Sequence, residues 1–68
     1  MIAIEVNGAP RVFHGATVSD LLADIGVGTE RPGIAVARNG ELVRRTLWSS
    51  TAIAAGDRLE VVTARGGG

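Results

Sequence analysis

The chain contains no cysteine, no lysine and a single histidine among its 68 residues. Without cysteine, neither a disulfide nor a thiolate metal ligand is available, and one histidine is too few for the usual metal site. Without lysine, no side chain can accept an isopeptide bond. Because a domain of this size buries only about 60% of the surface that its unfolded chain exposes, one small packed core has to stabilise the fold.

Long hydrophobic runs and an excess of charge are also missing. No apolar stretch approaches the roughly 20 residues that cross a bilayer. The first residues, MIAIEVNG, alternate like a strand and lack the basic and apolar regions of a signal peptide. We therefore expect a soluble, cytoplasmic protein that does not bind membranes. Seven arginines balance seven acidic residues, and this zero net charge argues against a nucleic-acid-binding surface.

What the sequence does contain is a series of short, well-marked strands. Apolar residues alternate in MIAIEV, and Asn7-Gly8 predicts a hairpin turn into a return strand near residues 11–14. Pro10 at the start of that strand cannot donate a hydrogen bond to a neighbour, which indicates a sheet edge. GIAVARNGELVRR predicts a second hairpin around Asn39-Gly40. TLWSSTAIAAGD is interpreted as a short helical turn and a loop, and RLEVVT as the last strand.

One helix is predicted between the hairpins, in ATVSDLLADIG. Its apolar residues recur at i, i+3, i+4 and i+7, Thr17 and Asp20 match a capping box, and Gly26 suits the end of the helix. One amphipathic helix against a mixed sheet of four to five strands is an α+β arrangement. If the first and last strands pair in the centre, the fold is a β-grasp, the ubiquitin-like fold. The domain would span residues 1–63 and a flexible glycine tail residues 64–68.

The predicted domain offers no reaction centre. His14 has no nucleophile to activate and is expected to be a strand-surface or half-buried residue, while Asp57 and Glu60 are interpreted as solvated charges at a turn. Trp48 is either a core residue or a partly exposed anchor for a partner. Three arginines suit a solvated edge or, alternatively, a partner-binding patch: Arg38, Arg44 and Arg45. No set of metal ligands is predicted.

The chain ends in TARGGG, and this tail is the remaining candidate for chemistry. Glycine has no β-carbon, so a glycine run can pass through a narrow channel in another protein. The distinctive group at its tip is the α-carboxylate of Gly68. Coupling to AMP would turn this poor electrophile into an acyl adenylate, which a thiol, persulfide or amine can attack. The alternative is a flexible end without a function.

Several segments in series carry a resemblance to a known family. They are IEVNG at the start, TVSDLL in the helix, GIAVARNGELVRR and Trp48 in residues 33–48, GDRLEVV, and the closing Gly67-Gly68. Over nearly its whole length the chain resembles the ThiS family, ubiquitin-like sulfur carriers of thiamine (thiazole) biosynthesis. It departs from the family at Arg44, where proline is frequent, and at Gly66, where another residue usually precedes Gly-Gly.

The resemblance implies a function for the tail. An E1-like adenylyltransferase would use ATP and magnesium to adenylate Gly68, and sulfur from a cysteine-desulfurase persulfide would convert it to a thiocarboxylate. Gly67 would be the second residue of the pair, and thiazole synthase would take the sulfur. The chain itself would bind no cofactor and would be a protein co-substrate, not an enzyme.

Two alternatives remain open at this point. The chain could be the sulfur-carrier subunit of molybdopterin synthase or another ubiquitin-like carrier, for cysteine or thiolated nucleosides. It could also be a non-catalytic β-grasp interaction module. As a hypothesis, the sheet face opposite the helix forms the partner surface, with Ala35, Ala37 and Val62 as small apolar contacts.

Overall fold

A computed structural model describes residues 1–64, and the predicted functional glycines Gly66, Gly67 and Gly68 lie outside the described residues. The described part forms five strands, an α-helix and a 3-10 helix, in the following order: β1 (Ile2–Val6), β2 (Ala9–Phe13), α1 (Val18–Asp24), β3 (Ile34–Arg38), β4 (Glu41–Val43), the 3-10 helix (Arg45–Leu47) and β5 (Arg58–Thr63).

The strands form one mixed sheet in the order β2-β1-β5-β3-β4. The central strands β1 and β5 are parallel, and every other neighbouring pair is antiparallel. This confirms the predicted β-grasp. Pro10 lies in the edge strand β2, as predicted, but β2 begins earlier than predicted. The two-residue turn at Asn7-Gly8 leads directly into pairing, with Val6 opposite Ala9.

The helix begins as the sequence predicts. The Thr17 hydroxyl accepts a hydrogen bond from the Asp20 N–H at 3.3 Å, and the Asp20 carboxylate accepts from the Thr17 N–H at 3.0 Å. This capping box satisfies donors that the first turn would otherwise leave unpaired. Hydrogen bonds from the Ala16 and Thr17 N–H groups to the carboxylate lower the pKa of Asp20. No helix in residues 1–64 is long and apolar enough to cross a membrane.

One face of the sheet is buried against α1 and the segment that leads into β5. The ten buried hydrophobic residues form a single cluster: Ile4, Phe13, Val18, Leu21, Leu22, Val36, Trp48, Ile53, Leu59 and Val61. In β5, Leu59 and Val61 are buried while Glu60 and Val62 between and after them are exposed. The opposite face of the sheet is therefore open, and we call it the open face.

Candidate functional site

The candidate site begins where β5 leaves the sheet. On the β1 side, Arg58 and Leu59 of β5 are paired with Glu5 and Val6. The side chain of Asn7, the next residue after β1, then bonds to Val61, two residues further along β5. The Asn7 amide donates to the Val61 carbonyl at 3.1 Å and its oxygen accepts from the Val61 N–H at 2.8 Å. An asparagine side chain thus replaces a backbone partner at the point where β1 turns away.

On its other side, β5 is paired with β3 as far as its last residue, Thr63. Ala35 lies opposite Val62 and Ile34 opposite Thr63, and the Ala64 N–H donates to the Gly33 carbonyl at 2.7 Å. Ala64, which the sequence analysis placed at the start of the tail, is therefore hydrogen-bonded to the domain. Gly33 and Ala64 form the base of the tail.

The beginning of β5 is fixed by a buried carboxylate. Asp57 is 7% exposed and accepts hydrogen bonds from the Ala54 N–H at 2.8 Å, the Arg38 Nε at 2.8 Å and the Asn39 amide at 3.1 Å. Burial raises the pKa of Asp57, but these donors and the Arg38 charge lower it more, so the pKa lies below its usual value. The prediction of a solvated Asp57 is wrong, because Arg38 and Asn39 from the second hairpin and the nearby Ala54 N–H surround it.

The residues predicted as a partner surface lie together on the open face. Ala35 is opposite Val62, and Ala37 is opposite Glu60 in β5 and opposite Leu42 in β4. Val62 is 60% exposed and Leu42 is 72% exposed. We call Ala35, Ala37, Leu42 and Val62 the open-face patch. Leu42 was not predicted as part of this surface, although the two-residue turn at Asn39-Gly40 sets it across from Ala37.

Trp48 lies in the core. It is 2% exposed, its indole N–H donates to the Val43 carbonyl at 2.9 Å, and the Arg45 guanidinium lies 4.6 Å from the ring centroid. Of the two alternatives for Trp48, the structure therefore shows the core residue and not the partly exposed side chain. The arginines predicted as one group have different surroundings, since Arg38 pairs with Asp57, Arg45 covers Trp48 and Arg44 is exposed.

The other titratable side chains do not converge on a reaction centre within residues 1–64. His14 is exposed, as expected, beside Asp20 and Asp24 in an open depression. Asp20 is used in the capping box and Asp24 pairs with Arg11 at 3.0 Å. No group of three potential metal ligands occurs in the described part of the chain. The described residues thus provide the open-face patch and the hydrogen-bonded base of the tail.

Comparisons with known proteins agree with this geometry. The sequence model of the ThiS family matches residues 2–68. The crystal structure of ThiS from Geobacter metallireducens matches with a TM-score of 0.79 at 31% identity, covering 98% of this chain and 100% of that one. The solution structure of a thiamine biosynthesis protein from the same organism gives the same TM-score and identity, covering 98% of this chain and 88% of that one.

A longer relative is also similar. A thiazole synthase from Paramagnetospirillum magneticum (strain ATCC 700264 / AMB-1) is 39% identical over 64 residues, which are 93% of this chain but 19% of that protein. The chain thus spans about a fifth of the length of this curated relative. With the family match over residues 2–68 and the shared fold, the chain belongs to the ThiS family, the small ubiquitin-like sulfur carriers of thiamine biosynthesis.

Proposed function

We propose that the chain carries sulfur for thiazole formation as a thiocarboxylate on Gly68. The family match over residues 2–68, which includes the closing Gly67-Gly68, is the observation that carries this proposal. The geometry of the described residues supports it. The central strand β5 ends at Thr63, and the following Ala64 is hydrogen-bonded to Gly33, so the last described residue before the glycines is held at the end of the sheet.

The chemistry starts with an unreactive group. A carboxylate repels nucleophiles and has no good leaving group, so an E1-like adenylyltransferase would join Gly68 to AMP, using ATP and magnesium and releasing pyrophosphate. The terminal sulfur of a cysteine-desulfurase persulfide would then attack the acyl adenylate, displace AMP and form an acyl disulfide with the desulfurase cysteine. A second thiol, such as the free cysteine supplied as the sulfur source, would reduce the S–S bond and release the carrier. The product is a thiocarboxylate, in which sulfur replaces one carboxylate oxygen.

The composition supports a terminal sulfur. The chain has no cysteine, so no side-chain thiol is available to hold a persulfide. The carried sulfur therefore has to be attached elsewhere, and a terminal carboxylate is the group that adenylation activates. The chain would act as a co-substrate of its partner enzymes, which bind the ATP and magnesium.

Thiazole synthase is the proposed sulfur acceptor. In the Paramagnetospirillum protein, the region similar to this chain makes up 19% of a polypeptide named thiazole synthase. A carrier-like segment within such a polypeptide supports the pairing of carrier and synthase. We propose that the open-face patch is the contact for the partner enzymes, because it combines exposed apolar side chains with a position beside the base of the tail.

Intact-mass measurement tests the proposal. The purified chain is incubated with ATP, magnesium, an E1-like adenylyltransferase, cysteine and a desulfurase. We expect a mass gain that equals the replacement of one oxygen by sulfur, located at Gly68 by fragmentation, and no gain in a variant that lacks Gly67-Gly68. If an established ThiS protein gains sulfur in the same mixture and this chain does not, the proposal is wrong.

A further inference from the structure

The end of the β3–β5 ladder is built by identifiable contacts. In an antiparallel pair, the hydrogen-bonded positions recur every second residue. Along this edge they include Ala35 with Val62, followed by Gly33 with Ala64. Gly33, directly before β3, is therefore the partner of Ala64, the last described residue of the chain.

The loop before β3 is held by hydrogen bonds to the backbone of Arg31. Its N–H donates to the Gly28 carbonyl at 3.1 Å, and its carbonyl accepts a hydrogen bond from the Arg45 guanidinium. The same guanidinium donates to the Thr29 carbonyl. Arg45 is held in turn over the ring of the buried Trp48. The loop before β3 is thereby tied to the 3-10 helix.

Gly33 turns the chain at the position opposite Ala64. Its φ of +80° lies in the left-handed region, which side chains other than glycine rarely adopt. A β-carbon at Gly33 would also lie 3.1 Å from the Ala64 β-carbon and 3.4 Å from the Ala64 carbonyl oxygen. Glycine at this position therefore allows both the turn and the close approach of Ala64.

We propose that Gly33 is a positioning residue that holds Ala64 at the base of the tail, and that Arg45 supports it by fixing the loop before β3. The inference rests on the function proposed above. Four residues follow Ala64, and an extended chain spans at most about 14 Å over that number. With so short a reach, the placement of Ala64 decides which point in a partner's active site Gly68 can reach.

Two glycine substitutions separate this role from simple backbone strain. Gly33→Ala places a β-carbon against Ala64, whereas Gly26→Ala has nearly the same φ, +79°, but no heavy atom within 4 Å of the added carbon. Both variants should lose about 1–2 kcal/mol of unfolding free energy, measured in urea. Only Gly33→Ala should disturb the Ala64 amide, which we expect to exchange with deuterium faster.

Activity measurements then test the positioning role. We expect Gly33→Ala to lower kcat/KM for adenylation and thiocarboxylation about tenfold or more, since a misplacement on the order of 1 Å can cost about 100-fold. Gly26→Ala should keep the value of the unmodified chain. Adding Ala64→Gly to Gly33→Ala removes the nearest contact and should restore part of the lost activity.

The outcomes distinguish the inference from the proposed function. If the unmodified chain is not thiocarboxylated, the proposed function fails. If it is thiocarboxylated and Gly33→Ala and Gly26→Ala have equal kcat/KM values, Gly33 does not position the tail and the inference is overturned. Equal activity of Gly33→Ala with and without Ala64→Gly would overturn the contact with Ala64 as its cause.

Discussion

Two asparagines show how single residues serve both a turn and the central strand. Asn7 and Asn39 each have a φ of +51° in an Asn-Gly turn. The Asn7 side chain bonds to Val61 in β5. The Asn39 side chain donates to Asp57, directly before β5, and accepts from the Arg58 N–H at 2.9 Å. Asparagine tolerates the left-handed conformation and carries both a donor and an acceptor, so it suits both roles.

Replacing Asn7 separates these roles. Asn7→Gly keeps the positive φ but removes two hydrogen bonds to Val61, which each contribute about 0.5–1.5 kcal/mol net. We expect a loss of about 1–3 kcal/mol in unfolding free energy, measured by urea denaturation. Asn7→Asp keeps the acceptor but places a carboxylate oxygen against the Val61 carbonyl where the amide donated, so we expect it to be less stable than the unmodified chain as well. A change within about 0.5 kcal/mol, typical of surface positions, would contradict a stabilising role for Asn7.

Asp57 predicts how stability depends on pH. Its pKa is lowered in the folded protein, so its contribution is present above the unfolded value of about 4 and is lost as the pH falls through the folded pKa. We expect the unfolding free energy to fall with acidification below about pH 4 and this fall to be smaller in Asp57→Asn. Denaturation at a series of pH values measures both. Asp20, whose pKa is also lowered, should leave some acid sensitivity in the variant.

A matched control for Asp57→Asn is Asp24→Asn. Asp24 forms an exposed ion pair with Arg11, with side chains 49% and 39% exposed, and such pairs contribute about 0–1 kcal/mol. At neutral pH, Asp57→Asn should cost clearly more, because it leaves donors from Ala54 and Arg38 without their charged acceptor. Equal losses in the two variants would show that the buried network does not stabilise the fold.

At the scale of elements, local signals predicted most of the fold. The two Asn-Gly hairpins, the capping box at Thr17 and the edge position of Pro10 depend on neighbours a few residues apart, so they can be recognised in the sequence. The placement of Asp57 and of Arg45 depends on residues from other elements, and no local pattern shows such contacts. Trp48 was ambiguous for the same reason, since its burial is decided by the packing of distant segments.

The open-face patch can be tested with one charged substitution and a control on the same face. Ala37→Arg places a large cation in the patch opposite Glu60, where cross-strand attraction limits the effect on stability. Val12→Arg changes an outward residue of β2 that is 52% exposed, away from β3 and β4. We expect Ala37→Arg to raise the KM of the adenylyltransferase for the carrier about tenfold, a cost of about 1.4 kcal/mol, and Val12→Arg to leave it unchanged.

The stability of each variant has to be measured alongside the kinetics. Both arginine variants should stay within about 0.5 kcal/mol of the unmodified chain in urea denaturation, since Val12 is exposed and Ala37, although half-buried, lies on the face opposite the core. If Ala37→Arg leaves KM unchanged, the open-face patch is not the adenylyltransferase contact. If both variants raise KM equally, the contact extends across the whole open face or reflects charge alone.

At the scale of the whole molecule, the sheet separates the core from the proposed partner surface. The hydrophobic cluster lies on one face of the sheet. The base of the tail and the open-face patch contain none of its residues. β5 contributes to both, because Leu59 and Val61 are buried in the core while Val62 and Ala64 belong to the patch and the tail base. A partner can therefore bind the carrier without disturbing its core.

This separation predicts that sulfur transfer needs the folded domain as well as the tail. A synthetic peptide of residues 60–68 with a terminal thiocarboxylate has the reacting group but lacks the open-face patch. Binding energy from parts of a substrate remote from the reaction contributes to the rate of the chemical step. We therefore expect the peptide to transfer sulfur in the thiazole synthase reaction with a kcat/KM at least about 100-fold below that of the thiocarboxylated chain.

The acceptor experiment also decides between the possible pathways. With the other substrates supplied, the thiocarboxylated chain should return to its carboxylate mass with thiazole synthase and keep its sulfur with the large subunit of molybdopterin synthase. The reverse result would assign the carrier to molybdopterin formation. Equal rates for peptide and chain would show that the domain contributes no binding energy at this step, and the open-face patch would then have no role in sulfur transfer to thiazole synthase.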